Sequence, residues 1–272
     1  MITFSRLGNY GRLGNQLFQY AAVRAVSKKT NIPLHLPDLT KASWHGQMCL
    51  LDEFNIKYNP LISKPDASWN YFSETGKGSN VAYNPKVFLA KEKTDFWGFF
   101  QNRKYFEDIK DIIKDDFSLS PEVQQEAQEI LKQFDNPTSI HLRLGDYRTG
   151  NHGVPGWESL VIEYIEYAKK VSGETNEFLV FTGGSRQGNN DRDSDFNWCK
   201  ERLSASNVHF MEGNSELLDF ELIKQCKNNI LGWDSTFSWW ASYLNEQRGK
   251  IICTDKSQIL PLYNDMSEWT KI

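Results

Sequence analysis

Asn229-Ile230-Leu231-Gly232, a short apolar run, leads through two residues into Ser235-Thr236-Phe237-Ser238-Trp239, where hydroxyl-bearing residues open a helix. A buried strand passing straight into a helix start is how open α/β sheets present a phosphate site. The first amides of a helix lack intrahelical partners, and the macrodipole favours an anion there. Upstream lies a matching cation. The run Thr138-Ser139-Ile140 continues into His141-Leu142-Arg143-Leu144-Gly145-Asp146-Tyr147 and puts Arg143 at the C-terminal end of another strand. That edge of a parallel sheet is where ligands collect. A nucleotide-sugar diphosphate is the ligand class these two features predict.

The same reading extends outward from both motifs. Thr138–Leu142, Phe178–Thr182, Val208–Met211, Asn229–Gly232 and Lys250–Cys253 read as buried strands separated by amphipathic segments. Such alternation implies right-handed βαβ units, a parallel sheet and the α/β class. The N-terminal half is less regular. Ile2–Leu7 reads as a strand, Gly8–Gly14 as a glycine-rich turn and Asn15–Lys29 as a helix. Residues 41–93 are rich in breakers and form the expected acceptor surface. Ser120-Pro121-Glu122 starts a helix running to about Gln133. The expected division falls near Asp135-Asn136-Pro137, giving lobes 1–135 and 136–272.

Bulk properties narrow the function. A net charge of -4, from 31 basic and 35 acidic residues, offers no long-range attraction to nucleic acid or an anionic membrane. An anion must be held locally. Aromatic residues make up 14% of the chain, which suits a surface that stacks on sugar rings, although most such rings fill cores. Cys49, Cys199, Cys226 and Cys253 are scattered without metal spacing and read as buried thiols of a reducing compartment. No run approaches the ~18–20 apolar residues of a membrane span. With no signal peptide at Met1, the expected location is cytoplasmic.

Gly11-Arg12-Leu13-Gly14-Asn15-Gln16 stands between the first strand and the first helix. Its glycines let backbone approach a ligand, and Asn15 can cap the helix while presenting an amide. Extended to Leu17-Phe18-Gln19-Tyr20-Ala21, it joins His141–Tyr147 and Ser235–Trp240 as three ordered motifs. Together they resemble the family 11 glycosyltransferases, the α-1,2-fucosyltransferases that use GDP-fucose. The segment Cys226-Lys227-Asn228-Asn229-Ile230 is also similar to the family.

The resemblance implies a GT-B-like fold of two lobes with Rossmann-like parallel sheets, the C-terminal lobe holding the nucleotide and the tail able to cross back. It implies inverting transfer of L-fucose to the 2-hydroxyl of a galactose-containing glycan, with GDP-fucose as donor, no metal and no further cofactor. Arg143 is then expected at the diphosphate, with Ser235, Thr236 and Phe237 lining its pocket and His141 and Ser238 beside them. Arg12 and Asn15 face the reaction centre from the other lobe. Asp219, on the helix opened by Asn214-Ser215, is the nominee for reading guanine.

Chemistry asks for these residue types. Breaking the fucosyl–phosphate bond passes through an oxocarbenium-like state while charge grows on the leaving phosphate, so preorganised donors lower the barrier. An arginine fork and a helix start supply them. The acceptor hydroxyl needs a base, and Asp146 is the nominee, unless it pairs structurally with Arg143 or Tyr147. Glu158 is a further nominee. Two departures from the family pattern stand out: Leu144 replaces a second arginine, and Phe181-Thr182-Gly183-Gly184 replaces an acidic turn. They leave open a sugar-nucleotide or glycan-binding protein that has lost catalysis, and because the 2-hydroxyl preference rests on the resemblance alone, another sugar position or a protein acceptor also stays open. Asp191-Arg192-Asp193-Ser194-Asp195 reads as a solvated acidic turn, and Gly76-Lys77-Gly78-Ser79 as a surface turn. His45, His152 and His209 lack partners at metal spacing, and one of Trp239 and Trp240 is expected to pack in the core.

Overall fold

The computed structural model describes residues 1–74, 82–145, 156–183, 192–232, 235–247, 249–255, 262 and 265–272. The chain divides into two compact units, Met1–Ser120 with Ile259–Asp265, and Pro121–Gln258 with Met266–Ile272.

The first unit runs β1 (Ile2–Thr3), α1 (Leu13–Thr30), β2 (Leu34–Leu36), β3 (Ser43–Trp44), β4 (Gln47–Met48), β5 (Asn59–Pro60), β6 (Asn70–Ser73), β7 (Thr94–Trp97) and α2 (Lys110–Asp116). Its main sheet has the order β5-β2-β1-β7-β6 with every pair parallel, while β3 and β4 form a separate antiparallel hairpin. Helix α1 is buried nearly all round, through Leu17, Phe18, Tyr20, Ala21 and Val26 among others. A buried charge ties it to α2: the Asp116 carboxylate, 1% exposed, accepts from Tyr20 Oη and Arg24 Nε, both at 2.7 Å. Burial drives the Tyr20 phenol far above its ordinary pKa, so it stays a donor.

The second unit runs α3 (Pro121–Leu131), β8 (Thr138–Leu142), α4 (Trp157–Ser172), β9 (Phe178–Thr182), α5 (Arg192–Leu203), β10 (Val208–Phe210), α6 (Glu216–Gln225), β11 (Asn228–Leu231), α7 (Thr236–Tyr243), β12 (Ile251–Cys253) and β13 (Thr270–Lys271). All strands are parallel in the order β10-β9-β8-β11-β12-β13. Ile140, Leu142, Val180, Ile230 and Ile252 from the strands pack with Ile165 and Trp198 from the helices. Trp239 and Trp240 are both fully buried, stacking edge to face at 5.1 Å, where one core tryptophan was expected. Because α3 packs on α6, with Gln225 Nε2 donating to Gln124 O at 3.3 Å, it belongs with this unit. The units therefore part at Ser120 and Pro121, ahead of the expected Asp135-Asn136-Pro137.

All four cysteines are buried and free. Burial raises the thiol pKa of Cys49 to about 11 and of Cys253 to about 12, so both stay protonated at neutral pH. Among the described residues no helix is long and apolar enough to cross a membrane.

Candidate functional site

In the second unit the chain leaves β8 outward through β9 to β10, then returns to place β11 on the other side of β8. The strand order reverses between β8 and β11, so the ligand crevice of this sheet opens beyond their carboxyl ends. Both sequence motifs meet there. His141 is paired in register with Leu231, Arg143 follows β8 directly, and α7 starts just past β11.

Buried polar side chains set that register. Asn228 Nδ2 donates to Thr138 Oγ1 at 3.0 Å and Asn229 Nδ2 to Ser139 Oγ at 2.7 Å, an amide rung between the two strands at successive positions. At the carboxyl end the strands close up so far that a Cβ on Gly232 would lie 2.1 Å from His141 O, which only glycine avoids. Tyr164, on α4, braces the same end, its hydroxyl lying 2.7 Å from Leu231 O and 3.2 Å from Ile252 O. Burial holds that phenol well above its ordinary pKa, so it remains a donor. No motif marks Tyr164 in the sequence, where it is one more aromatic residue on a helix face.

The residues after β8 alternate in direction. Arg143 is partly exposed, whereas Leu144 is fully buried in the strand–helix core. The position at which the resemblance leads one to expect a second arginine thus points inward, and among the described residues of this turn the guanidinium is that of Arg143. Two long-range bonds fix the turn. Thr182 Oγ1 donates to Leu142 O at 2.9 Å, and Gly145 N donates to Asp195 Oδ2 at 3.0 Å. Asp195 is 2% exposed on helix α5. It is therefore a buried structural carboxylate and not part of a solvated acidic turn, a correction to the sequence reading; its companion Asp193 is exposed.

At the start of α7, Ser235 is the N-cap, with Oγ accepting from Ser238 N at 3.3 Å. Ser238 Oγ donates back to Ser235 O at 3.3 Å, and both serines are buried. Their hydroxyls therefore serve the helix end, while Thr236 and Phe237 are the partly exposed members of the motif. Phe237 packs against His141, with ring centroids 5.3 Å apart, and edge-on to Phe220 at 5.4 Å. Asp219 is the neighbour of Phe220 in the first turns of α6, 5% exposed, with Oδ1 accepting from Asn214 Nδ2 at 3.0 Å. The His141, Phe237 and Phe220 rings thus link the β8 end, α7 and the Asp219 turn.

In the first unit, α1 begins at Leu13 with Arg12 as the N-cap, in extended conformation and without a side-chain cap bond. Asn15 accordingly lies inside the first turn and does not cap the helix, contrary to expectation. Its Oδ1 accepts from Gln101 Nε2 at 2.7 Å. The amides that hold the glycine turn come from further along: Gln16 Nε2 donates to Gly11 O at 2.8 Å, and Gln19 Nε2 to Tyr10 O at 3.1 Å. Gly11 has φ +83°, and a Cβ there would lie 2.7 Å from Asn15.

Of the remaining nominees, Glu158 forms an ion pair with Arg202 Nε at 2.5 Å. His209 Nε2 lies 3.3 Å from Glu177 Oε1, and His45 is exposed on the β3–β4 turn. Asp146, Tyr147, His152, Gly184, Asp191 and residues 76–79 lie outside the described residues. Among the described residues no group of three or more His, Cys, Asp or Glu is placed to hold a metal ion.

Two parallel sheets, one with a cation and a helix start at its switch point, define the GT-B-like class of glycosyltransferase fold. The chain belongs to glycosyl transferase family 11, whose model matches residues 5–259. It is 28% identical to alpha-1,2-colitosyltransferase of Escherichia coli over 262 residues, covering 86% of this chain and 85% of that protein. It is 26% identical to galactoside alpha-(1,2)-fucosyltransferase 2 of Oryctolagus cuniculus, covering 86% of this chain and 65% of the rabbit protein. In fold it is similar to NodZ alpha-1,6-fucosyltransferase, in crystals soaked with GDP-fucose, with a TM-score of 0.55 at 16% identity over 95% of this chain and 96% of that one.

Proposed function

We propose that this glycosyltransferase moves L-fucose from GDP-fucose to the 2-hydroxyl of a galactoside, with inversion and without a metal ion. The observation that carries the reading is the meeting of Arg143 and the start of α7 at the β8–β11 switch point. An arginine fork and the amide-rich helix end stabilise the diphosphate as its charge grows, the role that a divalent cation plays elsewhere. Phe237 and His141 wall the pocket, and Asp219 reads the base. Arg12 and Asn15 act at the acceptor side, and Asp146 takes the proton of the attacking hydroxyl. The fucosyl donor is supported by the name of the rabbit relative, and the 1,2 linkage by the names of both relatives.

The test is incubation with GDP-fucose and lactose, followed by linkage analysis of the product. Arg143→Ala is expected to cut transfer about 100- to 1,000-fold with the fold intact. EDTA is expected to leave transfer unchanged; loss restored by manganese would refute metal independence. The 28% identity to a colitosyltransferase favours a second reading, in which the donor sugar is colitose. Competition between the two GDP-sugars, read as kcat/KM, separates them.

A further inference from the structure

The first unit has a switch point of its own. The chain runs outward from β1 through β2 to β5 on one side, while β6 and β7 fill the other, so the strand order reverses between β1 and β7. Beyond the carboxyl ends of these two strands stands a column of aromatic rings. Tyr10, from the β1 side, stacks on Trp97 at 4.2 Å and on Phe99 at 4.6 Å, both from the β7 side. Trp44 of the β3–β4 hairpin meets Tyr10 edge-on at 5.4 Å, and the Arg6 guanidinium lies 4.7 Å from the Trp97 centroid.

These rings differ from those of the core. Phe4, Phe96 and Phe100, from the same stretches of chain, are 0–1% exposed, whereas Tyr10, Trp44, Trp97 and Phe99 are only half-buried. The loops that carry them are nonetheless pinned. Gln19 Nε2 bridges Tyr10 O and Gly98 O at 3.1 and 3.2 Å. Glu74, 7% exposed, accepts from the amides of Phe99 and Phe100 at 3.0 and 2.7 Å. Gly98 gives Glu74 the room, since a Cβ there would come within 2.5 Å of it. Core packing does not require such immobilisation of half-exposed rings; a ligand that stacks on them does.

Flat, half-exposed rings suit a hexopyranose, which offers an apolar C–H face to stack on them. The ledge is continuous with the Gly11–Gln16 turn through Tyr10 itself. We infer that Tyr10, Trp44, Trp97 and Phe99 form the subsite on which a pyranose ring of the acceptor stacks. The inference rests on the reading of this chain as a transferase with a sugar acceptor, and assigns that acceptor to particular residues.

Saturation-transfer NMR tests it without turnover, using the methyl glycosides of galactose, glucose, mannose and N-acetylglucosamine at millimolar concentration. At least one is expected to take up saturation on the wild-type protein, and to lose most of it in Trp44→Ala and Phe99→Ala. Phe99→Leu keeps apolar volume without a flat face and is expected to behave like Phe99→Ala, which keeps the test decisive if an alanine variant fails to fold. In transfer assays the same variants are expected to raise the acceptor KM at least tenfold while GDP affinity, measured by calorimetry, stays within twofold. Saturation transfer absent for all four glycosides, or unchanged in the variants, would overturn the subsite. Failure of the wild-type protein to bind GDP, with glycoside signals still lost in Trp44→Ala, would overturn the proposed donor and leave the subsite standing.

Discussion

Gly145 N–H donates to the carboxylate of Asp195 at 3.0 Å, across fifty residues of sequence and from a loop to a helix. The bond lies two residues past Arg143, and Asp195 is almost wholly removed from water. It therefore fixes the turn on which the guanidinium is mounted. A hydrogen bond to a buried charge is worth about 1.5–3 kcal/mol. Asp195→Ala is expected to lower kcat/KM for the donor by about 10- to 100-fold, and Asp195→Asn, which keeps an acceptor oxygen, by less. GDP calorimetry on both variants checks this; equal affinity in all three proteins would make Asp195 a stability residue only.

Among the described residues of the β8 turn the guanidinium is that of Arg143, because Leu144 is turned into the core. Arg143→Lys keeps the charge but loses the planar fork that matches two phosphate oxygens. Turnover is expected to fall at least about tenfold, short of the loss in Arg143→Ala, with GDP affinity less affected than kcat. Steady-state kinetics beside GDP calorimetry separates the two parameters. Full activity in the lysine variant would show that charge alone suffices at this position.

How far the sequence foretold this arrangement depended on strand length and on the range of the bonds involved. β8 and β9 are five-residue strands buried at every position, rich in β-branched and apolar residues, and both were placed at their observed bounds. The first strand was read as Ile2–Leu7 but is only Ile2–Thr3, and β2 and β5, with two or three residues, are too short for any periodicity, so the rest of the first unit's sheet did not show as a pattern. Arg12 gave no sign of being an N-cap because arginine makes no cap bond, and Asn15 drew that role instead. Asp195 sits in a stretch whose glycines and asparagines signal a loop, and nothing local reveals its bond to Gly145. The switch-point motifs were legible because a strand end followed by a helix start is a local event; the carboxylates and amides that hold them are not.

Gly232 leaves no room for a side chain at the mouth of the crevice. A methyl group there would meet His141 O at 2.1 Å, and backbone cannot yield as a side-chain tip would. Gly232→Ala must therefore spread β8 from β11 at the crevice itself. The expected cost is about 1–3 kcal/mol or more, seen as a lower urea midpoint, together with weakened GDP binding. An unchanged midpoint would mean that the strand ends separate more easily than their amide rungs suggest.

Glu74 makes the stability of the first unit depend on pH in a direction that can be worked out. Burial pushes its carboxyl above the usual value of 4.5, outweighing the hydrogen bonds from Phe100, Tyr105 and Phe99 that pull the other way. The folded protein thus binds the Glu74 proton more tightly than the unfolded chain does. Its contribution to stability is fully present below pH 4.5 and is lost as pH rises through the folded value, where the folded state must give up a proton it holds well. Glu74→Gln keeps an oxygen for the Phe99 and Phe100 amides and cannot ionise. Urea midpoints at pH 4.5, 6 and 8 are therefore expected to show the variant gaining on the wild type as pH increases. If the wild type gains instead, the carboxylate is stabilised by its three donors more than it is penalised by burial, and the aromatic turn is held by charge rather than in spite of it.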